Sequence, residues 1–197
     1  KGATSSAVYL QSDVTDFLKY EGPVDPTIVG GFTNIFNYKN FSFVVHISYQ
    51  AGNKIRLNPT YRAEYSDLDA MPNEFKNRWL LPGDETVTSI PAIADKYKVF
   101  RLNNSNAYAY NNYNYSTARV VDGSFVRLKS ASLQYTLPAK ILTGTPFKTI
   151  SVSVVGQNLF LIYSDSRLHG QDPEFFNAGG VALPVNRQAT LSLKVGF

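Results

Sequence analysis

Hydrophobic and polar residues alternate along five stretches of the chain, with a period of two residues. In the clearest stretch, FSFVVHISYQ, apolar residues recur at every second position: Phe41, Phe43, Val45, Ile47 and Tyr49. Successive side chains of a β-strand point to opposite faces, so this pattern predicts a strand with one apolar and one more polar face. The same alternation occurs in GFTNIFNYKN, SASLQYTLP, TISVSVVG and QATLSLKVGF. The predicted fold is all-β, with about five antiparallel strands.

Short and long connections alternate between these strands. The first two stretches meet at YKNF with almost no loop, which predicts a hairpin with a tight turn, and PAKILTGTPFK connects the second pair. The long connections cover roughly residues 58–118 and 163–186, and one short helix is predicted near PNEFKNRW. Outer-membrane barrels show this asymmetry, with short turns on one side of the membrane and long loops on the other.

The alternating pattern is compatible with two environments. A strand that faces lipid on one side and a wet interior on the other needs it, because hydrocarbon satisfies no side-chain hydrogen bond. A soluble antiparallel sheet with one solvated face shows the same pattern. A closed single-chain membrane barrel needs at least about eight strands. A membrane sheet of five strands would therefore be part of a longer barrel, and the pattern alone leaves both environments open.

Composition excludes several classes of function. The 197 residues are 44% hydrophobic, as in globular proteins, and the net charge of +4 comes from scattered basic residues rather than a nucleic-acid-binding patch. The chain has no Cys, which excludes thiol catalysis, thiolate metal sites and iron–sulfur clusters. It also has no nucleophile elbow, zinc-protease motif or phosphate-binding glycine loop. We therefore expect neither catalysis nor a cofactor.

An ordered set of motifs resembles a known family. The segments DGSFVRLKSASLQYTLP, GQNLF, DPE and the final LSLKVGF are similar to the C-terminal end of SusC/RagA-type TonB-dependent outer-membrane transporters. GGFTNIFNYKNFSF, YQAGNKI and RWLLPGDET precede them in the order of the family. The resemblance implies that residues 1–197 form the last roughly five antiparallel strands of a large transmembrane β-barrel, with short periplasmic turns and long extracellular loops. The plug and the TonB-contacting part are expected upstream.

The resemblance also implies a function. Such transporters import oligosaccharides or peptides across the outer membrane of Gram-negative bacteria as multi-pass β-barrels. The implied partners are the rest of the same barrel, a SusD-like surface lipoprotein, the TonB complex, the oligosaccharide or peptide ligand and outer-membrane lipid, with no nucleic acid. The implied protein is not an enzyme. Two alternatives remain open, a soluble all-β carbohydrate-binding module and a passive porin.

The most unusual segment is NNSNAYAYNNYNYS, which interleaves asparagines with Tyr108, Tyr110, Tyr113 and Tyr115. Aromatic rings stack on sugars, and tyrosines also provide large contact areas in protein interfaces. Three interpretations follow: contact with the lipoprotein partner, direct contact with the ligand, or packing within the loop. Trp79 is a further candidate, either as a contact residue or as a loop anchor.

Phe197 and the two histidines have simpler predicted roles. A final aromatic residue on an alternating strand resembles the signal that outer-membrane assembly machinery recognises, so Phe197 is assigned to barrel assembly. His46 is expected to be a hydrogen-bonded residue on the polar face of its strand. His169 lies near Asp172 and Glu174, but their spacing matches no standard metal site, so no metal is expected. DPE is expected to shape a turn.

Overall fold

The computed structural model describes residues 18–62, 68–69, 71, 73–93, 97, 109–176 and 184–197. They belong to two compact units. The sheet unit comprises residues 22–55 and 122–197, and the loop unit comprises residues 56–121 together with the N-terminal residues up to Glu21. None of the helices in the described ranges has the length and apolar character required to cross a membrane.

The sheet unit contains one antiparallel five-stranded sheet. Its strands are β1 (Ile28–Tyr38), β2 (Phe41–Ala51), β5 (Phe125–Thr136), β6 (Thr149–Tyr163) and β7 (Gln188–Gly196). They lie in the order β1-β2-β5-β6-β7, which confirms the predicted five antiparallel strands. Two further strands, β3 (Lys54–Arg56) and β4 (Val120–Asp122), form a separate two-stranded sheet. They were not predicted, because three residues are too few to establish a period of two.

Two short connections, from β1 to β2 and from β5 to β6, lie at the same end of the strands, which we call the short-turn end. Lys39, with a φ of 52°, and Asn40 form the predicted tight turn between β1 and β2. The Asn40 side chain donates to the carbonyl of Thr136 at 2.8 Å, and the Thr136 amide donates to the carbonyl of Asn40 at 2.9 Å. The turn is thereby attached to β5. The connection from β5 to β6 contains the one-turn helix Ala139–Leu142.

The strands are staggered along the short-turn end. The register aligns Tyr38, Phe41, Tyr135 and Val152 in one row across β1, β2, β5 and β6. β1 ends at this row, whereas β6 begins three residues beyond it, at Thr149. Three residues correspond to about 10 Å along the strands, and the distance from β1 to β6 across the sheet is three strand spacings, or about 14 Å. The line through the strand ends is therefore inclined by about 35° to the perpendicular of the strands. Strands of closed membrane barrels are tilted by a similar angle.

The loop unit consists of short helical turns around a small core. Three of its elements are the 3-10 helices Asn73–Asn77, Asp84–Thr86 and Thr117–Arg119, and the fourth is the short α-helix Ala109–Asn114. The first of these confirms the helix predicted near PNEFKNRW, with Glu74 in its first turn. Leu57, Tyr61, Phe75 and Val121 are buried in this unit.

The buried residues of the sheet unit lie mainly outside the centre of its sheet. Ile55, Phe125, Leu142 and Leu168 are its buried hydrophobic residues among those described. A further 3-10 helix, Ser166–Leu168, follows β6. Most of the large apolar residues of the five-stranded sheet are instead exposed on its surface.

Candidate functional site

One face of the five-stranded sheet is apolar across all five strands. Residues paired directly across strands lie on the same face, so the register defines its members. The apolar face consists of Phe32, Phe36 and Tyr38 on β1, Phe41, Phe43, Val45, Ile47 and Tyr49 on β2, Val126, Leu128, Ala131, Leu133 and Tyr135 on β5, Ile150, Val152, Val154 and Phe160 on β6, and Leu191, Leu193 and Val195 on β7. Asn34 is a polar exception. Leu133 is 47% exposed and Leu191 is 73% exposed, so the face is largely uncovered.

The opposite face is mainly polar. Ser42, Ser48, Ser130, Ser132, Gln134, Ser151, Ser153, Gln157, Thr190 and Ser192 lie on it according to the same register. His46 lies there too, and its Nδ1 is 2.8 Å from the Thr33 hydroxyl on β1. This contact confirms the expectation of a hydrogen-bonded histidine on the polar side.

Aromatic residues mark both ends of the apolar face. Tyr38, Phe41 and Tyr135 share one row at the short-turn end. At the other end, the Tyr49 ring lies across β1 where Gly30 has no side chain, and any Cβ there would be within 2.5 Å of the ring. The eight-residue separation of Phe41 and Tyr49 corresponds to about 26 Å along the strand, or about 22 Å in height at a tilt of 35°. Membrane barrels carry an apolar band about 25 Å tall between two aromatic girdles.

The loop unit is organised around a buried ion pair. Arg119 Nη1 donates to Glu74 Oε1 at 2.7 Å, and the two side chains are only 4% and 12% exposed. Arg119 also donates through Nη2 to the carbonyl of Asn58 at 3.1 Å. Its guanidinium lies 4.9 Å from the centre of the Tyr61 ring and 5.8 Å from that of Tyr113, within the range of cation–π attraction.

Tyrosine and asparagine side chains complete this arginine cluster. The Tyr61 ring is tilted against Phe75 and meets the Tyr113 ring edge-on, with centroids 4.8 and 4.9 Å apart. Asn114 accepts from the Tyr61 amide at 3.2 Å and donates to the Tyr61 carbonyl at 2.8 Å. Burial raises the pKa of Tyr61 well above its ordinary value, and the neighbouring Glu74 raises it further. The Tyr61 phenol is therefore neutral at physiological pH.

The structure places the predicted contact tyrosines differently from one another. Tyr110 is half-buried and its hydroxyl donates to the carbonyl of Ala92 at 2.8 Å. Tyr113 is half-buried in the arginine cluster, where burial raises the pKa of its phenol. Tyr115 is 59% exposed, with the Arg56 guanidinium 5.9 Å from its ring. Tyr108 lies outside the described residues. The contact role of all four stays a prediction, and Tyr115 has the most accessible ring of the three described.

Trp79 anchors an exposed loop of the loop unit. Its amide donates to the carbonyl of Ile90 at 3.0 Å, and its indole N–H donates to the carbonyl of Leu81. Asp84 accepts from the amides of Leu81 and Leu80 at 2.9 and 3.0 Å, and these bonds lower the pKa of its carboxyl. Leu80 and Leu81 are thereby presented to solvent, with 64% and 67% exposure. The contact role of Trp79 also stays a prediction.

A second buried ion pair lies in the sheet unit. Arg127, on the polar face of β5, donates from Nη2 to Asp172 at 2.5 Å, and the side chains are 8% and 9% exposed. The Asp172 carboxylate also accepts from the Glu174 amide at 3.1 Å, and the Phe175 amide donates to the Asp172 carbonyl at 3.2 Å. These bonds confirm that DPE shapes a turn. They also hold the segment after β6 against β5.

Asp165 fixes the end of β6 in the sheet unit. Its carboxylate accepts from the amides of Arg167 and Asp122 at 2.9 and 3.1 Å and from the Arg167 guanidinium at 2.8 Å. The Arg167 hydrogen bond is the main cause that lowers the pKa of Asp165 to about 2. The same contact raises the pKa of Arg167.

Replacing Asp165 by asparagine is expected to destabilise the sheet unit by about 1 kcal/mol at pH 7, because two backbone amides and a guanidinium lose a charged acceptor. The folded pKa of about 2 lies below the ordinary value of 3.8, so the advantage of Asp165 is complete above about pH 4. It is lost as the pH falls from 4 towards 2. Hydrogen exchange of the Asp122 and Arg167 amides in both proteins over this range measures the difference, and a difference that persists unchanged at pH 2 contradicts the prediction.

Phe197 is 75% exposed and contacts Phe147, with ring centroids 5.4 Å apart. It continues the alternation of Leu191, Leu193 and Val195, so it belongs to the apolar side of the sheet. His169 is an exposed residue with a φ of 51° that ends the 3-10 helix Ser166–Leu168. Among the described residues, no group of three or more acidic or histidine side chains is arranged to hold a metal ion.

Sequence reasoning missed both buried ion pairs. Arg119 and Glu74 are separated by 45 residues, as are Arg127 and Asp172, and no local pattern connects such positions. The one available signal was the position of Arg127, which follows an apolar residue in FVRLKS on a strand whose later residues on that face, Ser130, Ser132 and Gln134, are polar and uncharged. A large charge at such a position requires a partner once it is buried.

Comparison with known proteins identifies relatives of this chain. No family model matches the sequence. TonB-dependent receptor P3 of Formosa agariphila is 32% identical over 156 residues, which are 79% of this chain and 14% of the receptor. TonB-dependent receptor P26 of the same organism is 28% identical over 196 residues, covering 87% of this chain and 17% of the receptor. The chain thus spans about one seventh to one sixth of the length of these curated relatives.

Solved structures show the same fold. The RagAB peptide importer in its "open-open" state matches with a TM-score of 0.61 and 22% identity, over 91% of this chain and 18% of the matched chain. Its "closed-closed" state matches with a TM-score of 0.53 over 79% of this chain and 15% of the matched chain. The relatives are receptors and an importer, which confirms the expectation that the chain is not an enzyme. Over most of its length the chain is similar in sequence to TonB-dependent receptors, and its staggered antiparallel sheet matches a segment of the RagAB structure.

Proposed function

We propose that this chain forms part of the wall of a TonB-dependent importer in the outer membrane of a Gram-negative bacterium, as the C-terminal portion of its barrel. The observation that carries the proposal is the apolar face, which continues across all five strands and is opposed by a polar face. Soluble monomers rarely expose contiguous apolar patches larger than a few hundred Å². Lipid covers such a face at no cost, and the rest of the barrel supplies partners for the two open sheet edges.

The long connections support an import role. Along the chain they follow the ends of β2 and β6 that are opposite the short-turn end, and their sequence contains the predicted contact residues Trp79, Tyr108, Tyr110, Tyr113 and Tyr115. We assign to them contact with a SusD-like surface lipoprotein and with an oligosaccharide or peptide ligand. Phe197 is assigned to barrel assembly, and energy comes from the TonB complex through the upstream part of the protein. The fold neighbour RagAB is a peptide importer, which supports a peptide as the cargo.

The rival proposal, a soluble all-β carbohydrate-binding module, differs in what covers the apolar face. These 197 residues contain no Cys, so a single cysteine introduced among them is labelled specifically with a fluorescent bimane in a full-length receptor whose other cysteines are replaced by serine. Leu133 and Gln134 are neighbours on β5 with opposite faces, and both are exposed. After reconstitution with brominated lipid, bimane at Leu133→Cys is expected to lose more than half of its fluorescence, because bromine quenches at contact.

The matched variant Gln134→Cys is expected to lose little fluorescence to brominated lipid. Equal quenching at both positions contradicts the placement of the apolar face in lipid. A full-length receptor that stays monodisperse in water without detergent contradicts the membrane role altogether and supports the soluble binding module.

A further inference from the structure

Charges in the sheet unit are segregated between its two ends. Residues 26–63, 123–164 and 175–197 contain no Asp or Glu. The acidic residues of this unit all lie beyond the other end of the strands, where the long connections begin and end. They are Asp25 before β1, Asp122 before β5, and Asp165, Asp172 and Glu174 after β6. The short-turn end therefore has no negative side chain.

Three lysines in or beside the connections at this end form what we call the lysine rim, and a fourth, Lys194, lies on the polar face of β7. Lys39 lies in the turn between β1 and β2, Lys140 in the helix Ala139–Leu142, and Lys148 directly before β6. All three are exposed. No acidic side chain of the described residues forms an ion pair with any of them, so their charges are uncompensated by the sheet unit.

Apolar groups surround the lysine rim at the border of the apolar face. Lys39 Nζ lies 5.3 Å from the ring centre of Tyr38. The Lys148 amide donates to the Gly196 carbonyl at 2.8 Å, which extends the β6–β7 ladder by one residue. Lys148 consequently continues the alternation of Ile150 and Val152 on the apolar face. Ile141, next to Lys140, is 62% exposed.

We propose that the lysine rim binds the phosphate groups of phospholipid headgroups in the membrane leaflet at the short-turn end. The inference rests on the proposed function, because it requires the apolar face to lie in lipid. A lysine at the border of such a face buries its aliphatic stem along apolar surface and extends its ammonium into the headgroup layer. Three lysine ammonium groups at an end of the sheet without Asp or Glu side chains complement a layer of phosphates.

The surroundings favour a lipid over an acidic protein partner. A soluble acidic partner needs only the charges, and it gains nothing from exposed Ile141 or from a lysine in line with Ile150 and Val152. A lipid leaflet uses both features, since acyl chains cover the apolar residues while phosphates meet the ammonium groups. Aromatic residues at the same level, Tyr38 and Phe41, match the position of a headgroup boundary.

The test compares full-length receptor variants by native mass spectrometry after equal exposure to phosphatidylglycerol and phosphatidylethanolamine. The triple variant Lys39→Gln, Lys140→Gln, Lys148→Gln removes the rim charge. The control is Lys19→Gln, Lys54→Gln, since Lys19 and Lys54 do not belong to the rim and form ion pairs with Glu21 and Asp122. Each rim lysine is expected to contribute roughly fivefold to binding of anionic lipid, and the triple variant to retain at least about tenfold less phosphatidylglycerol.

A second triple variant, Lys39→Arg, Lys140→Arg, Lys148→Arg, keeps the rim charge. This variant and the control are expected to retain phosphatidylglycerol like the unmodified receptor. The preference of the unmodified receptor for phosphatidylglycerol over phosphatidylethanolamine is expected to fall as salt is raised. If the glutamine triple variant prefers phosphatidylglycerol as strongly as the unmodified receptor, the inference is overturned. Binding of a polyglutamate peptide is measured on the same variants. If the glutamine triple variant loses polyglutamate binding but retains lipid, the rim is assigned to an acidic protein and the inference is also overturned. Bimane at Leu133→Cys separates the two proposals. If it is quenched while the lysine variants have no effect, only the lipid-headgroup inference fails, and if it is not quenched the membrane role fails as well.

Discussion

Replacing Glu74 by glutamine is expected to destabilise the loop unit by roughly 3–5 kcal/mol, because it leaves the Arg119 charge buried without a counterion. Arg119 is 3% exposed, and its remaining contacts are the Asn58 carbonyl and the rings of Tyr61 and Tyr113. These groups supply partial negative charge, but none carries a full one. A loss of this size exceeds the stability of many small structural units, so local unfolding of the loop unit is the expected result.

Hydrogen exchange in the full-length receptor measures the effect at the amides of Leu57 and Tyr61, which are bonded to the Arg119 carbonyl and to Asn114. The exposed pair Arg62–Asp69, separated by 3.5 Å, is the matched control, since Asp69→Asn is expected to cost less than about 1 kcal/mol. The double variant Arg119→Met, Glu74→Met is expected to recover part of the loss, because no buried charge remains. Similar protection in Glu74→Gln and Asp69→Asn contradicts the central role of the buried pair.

Introducing arginine at Ala131 is expected to destabilise the folded barrel by about 2–4 kcal/mol, which is the cost of a cation near the bilayer midplane on the lipid face. Ala131 lies directly opposite Val45 on β2, and Val45 is halfway between the aromatic residues Phe41 and Tyr49. Its direct neighbours on the apolar face are Val45 on β2 and Gly156 on β6, neither of which has a polar side chain, and its position is far from both ends of the face. A guanidinium there has no nearby water.

The adjacent Ser132→Arg is the matched control, because Ser132 lies at the same height on the polar face, between Val44 and Val155. It is expected to change stability by less than about 1 kcal/mol, since its side chain faces a wet interior. Urea unfolding of the full-length receptor in lipid vesicles measures both free energies. Equal losses for the two variants contradict the assignment of the faces.

The period-two patterns were sufficient to predict the sheet. The strands β1, β2, β5, β6 and β7 all coincide with alternating stretches, because each strand has two different environments and each environment selects its own side chains. The tight turn at Lys39 and Asn40 and the turn at DPE were also predicted, since both depend on residues adjacent in sequence. The family resemblance added the barrel and the expected partners, and the curated relatives are TonB-dependent receptors, as the resemblance implies.

The loop unit was much less predictable. The tyrosine-rich segment had three interpretations, and only the folded chain places Tyr113 beside Tyr61 and Arg119 while leaving Tyr115 exposed. The helices bounded in its described residues are three to six residues long, too short to establish a 3.6-residue period. The partner of each buried charge lies 45 residues away, so it is selected by three-dimensional proximity and not by local sequence.

The sequence by itself determined the strands, the amphipathic character of the sheet and the segregation of acidic residues from the short-turn end, because each is a property of residue order along the chain. Only the tertiary structure decided the register of the strands. The register in turn determines the continuity of the apolar face and the stagger of the strands, which corresponds to an angle of about 35°. The tertiary structure also decided that Arg119 pairs with Glu74 and Arg127 with Asp172. The physical reason is that the counterion of a buried charge can come from any part of the chain that the fold brings close, whereas the pattern of a strand depends only on residues that are adjacent in sequence.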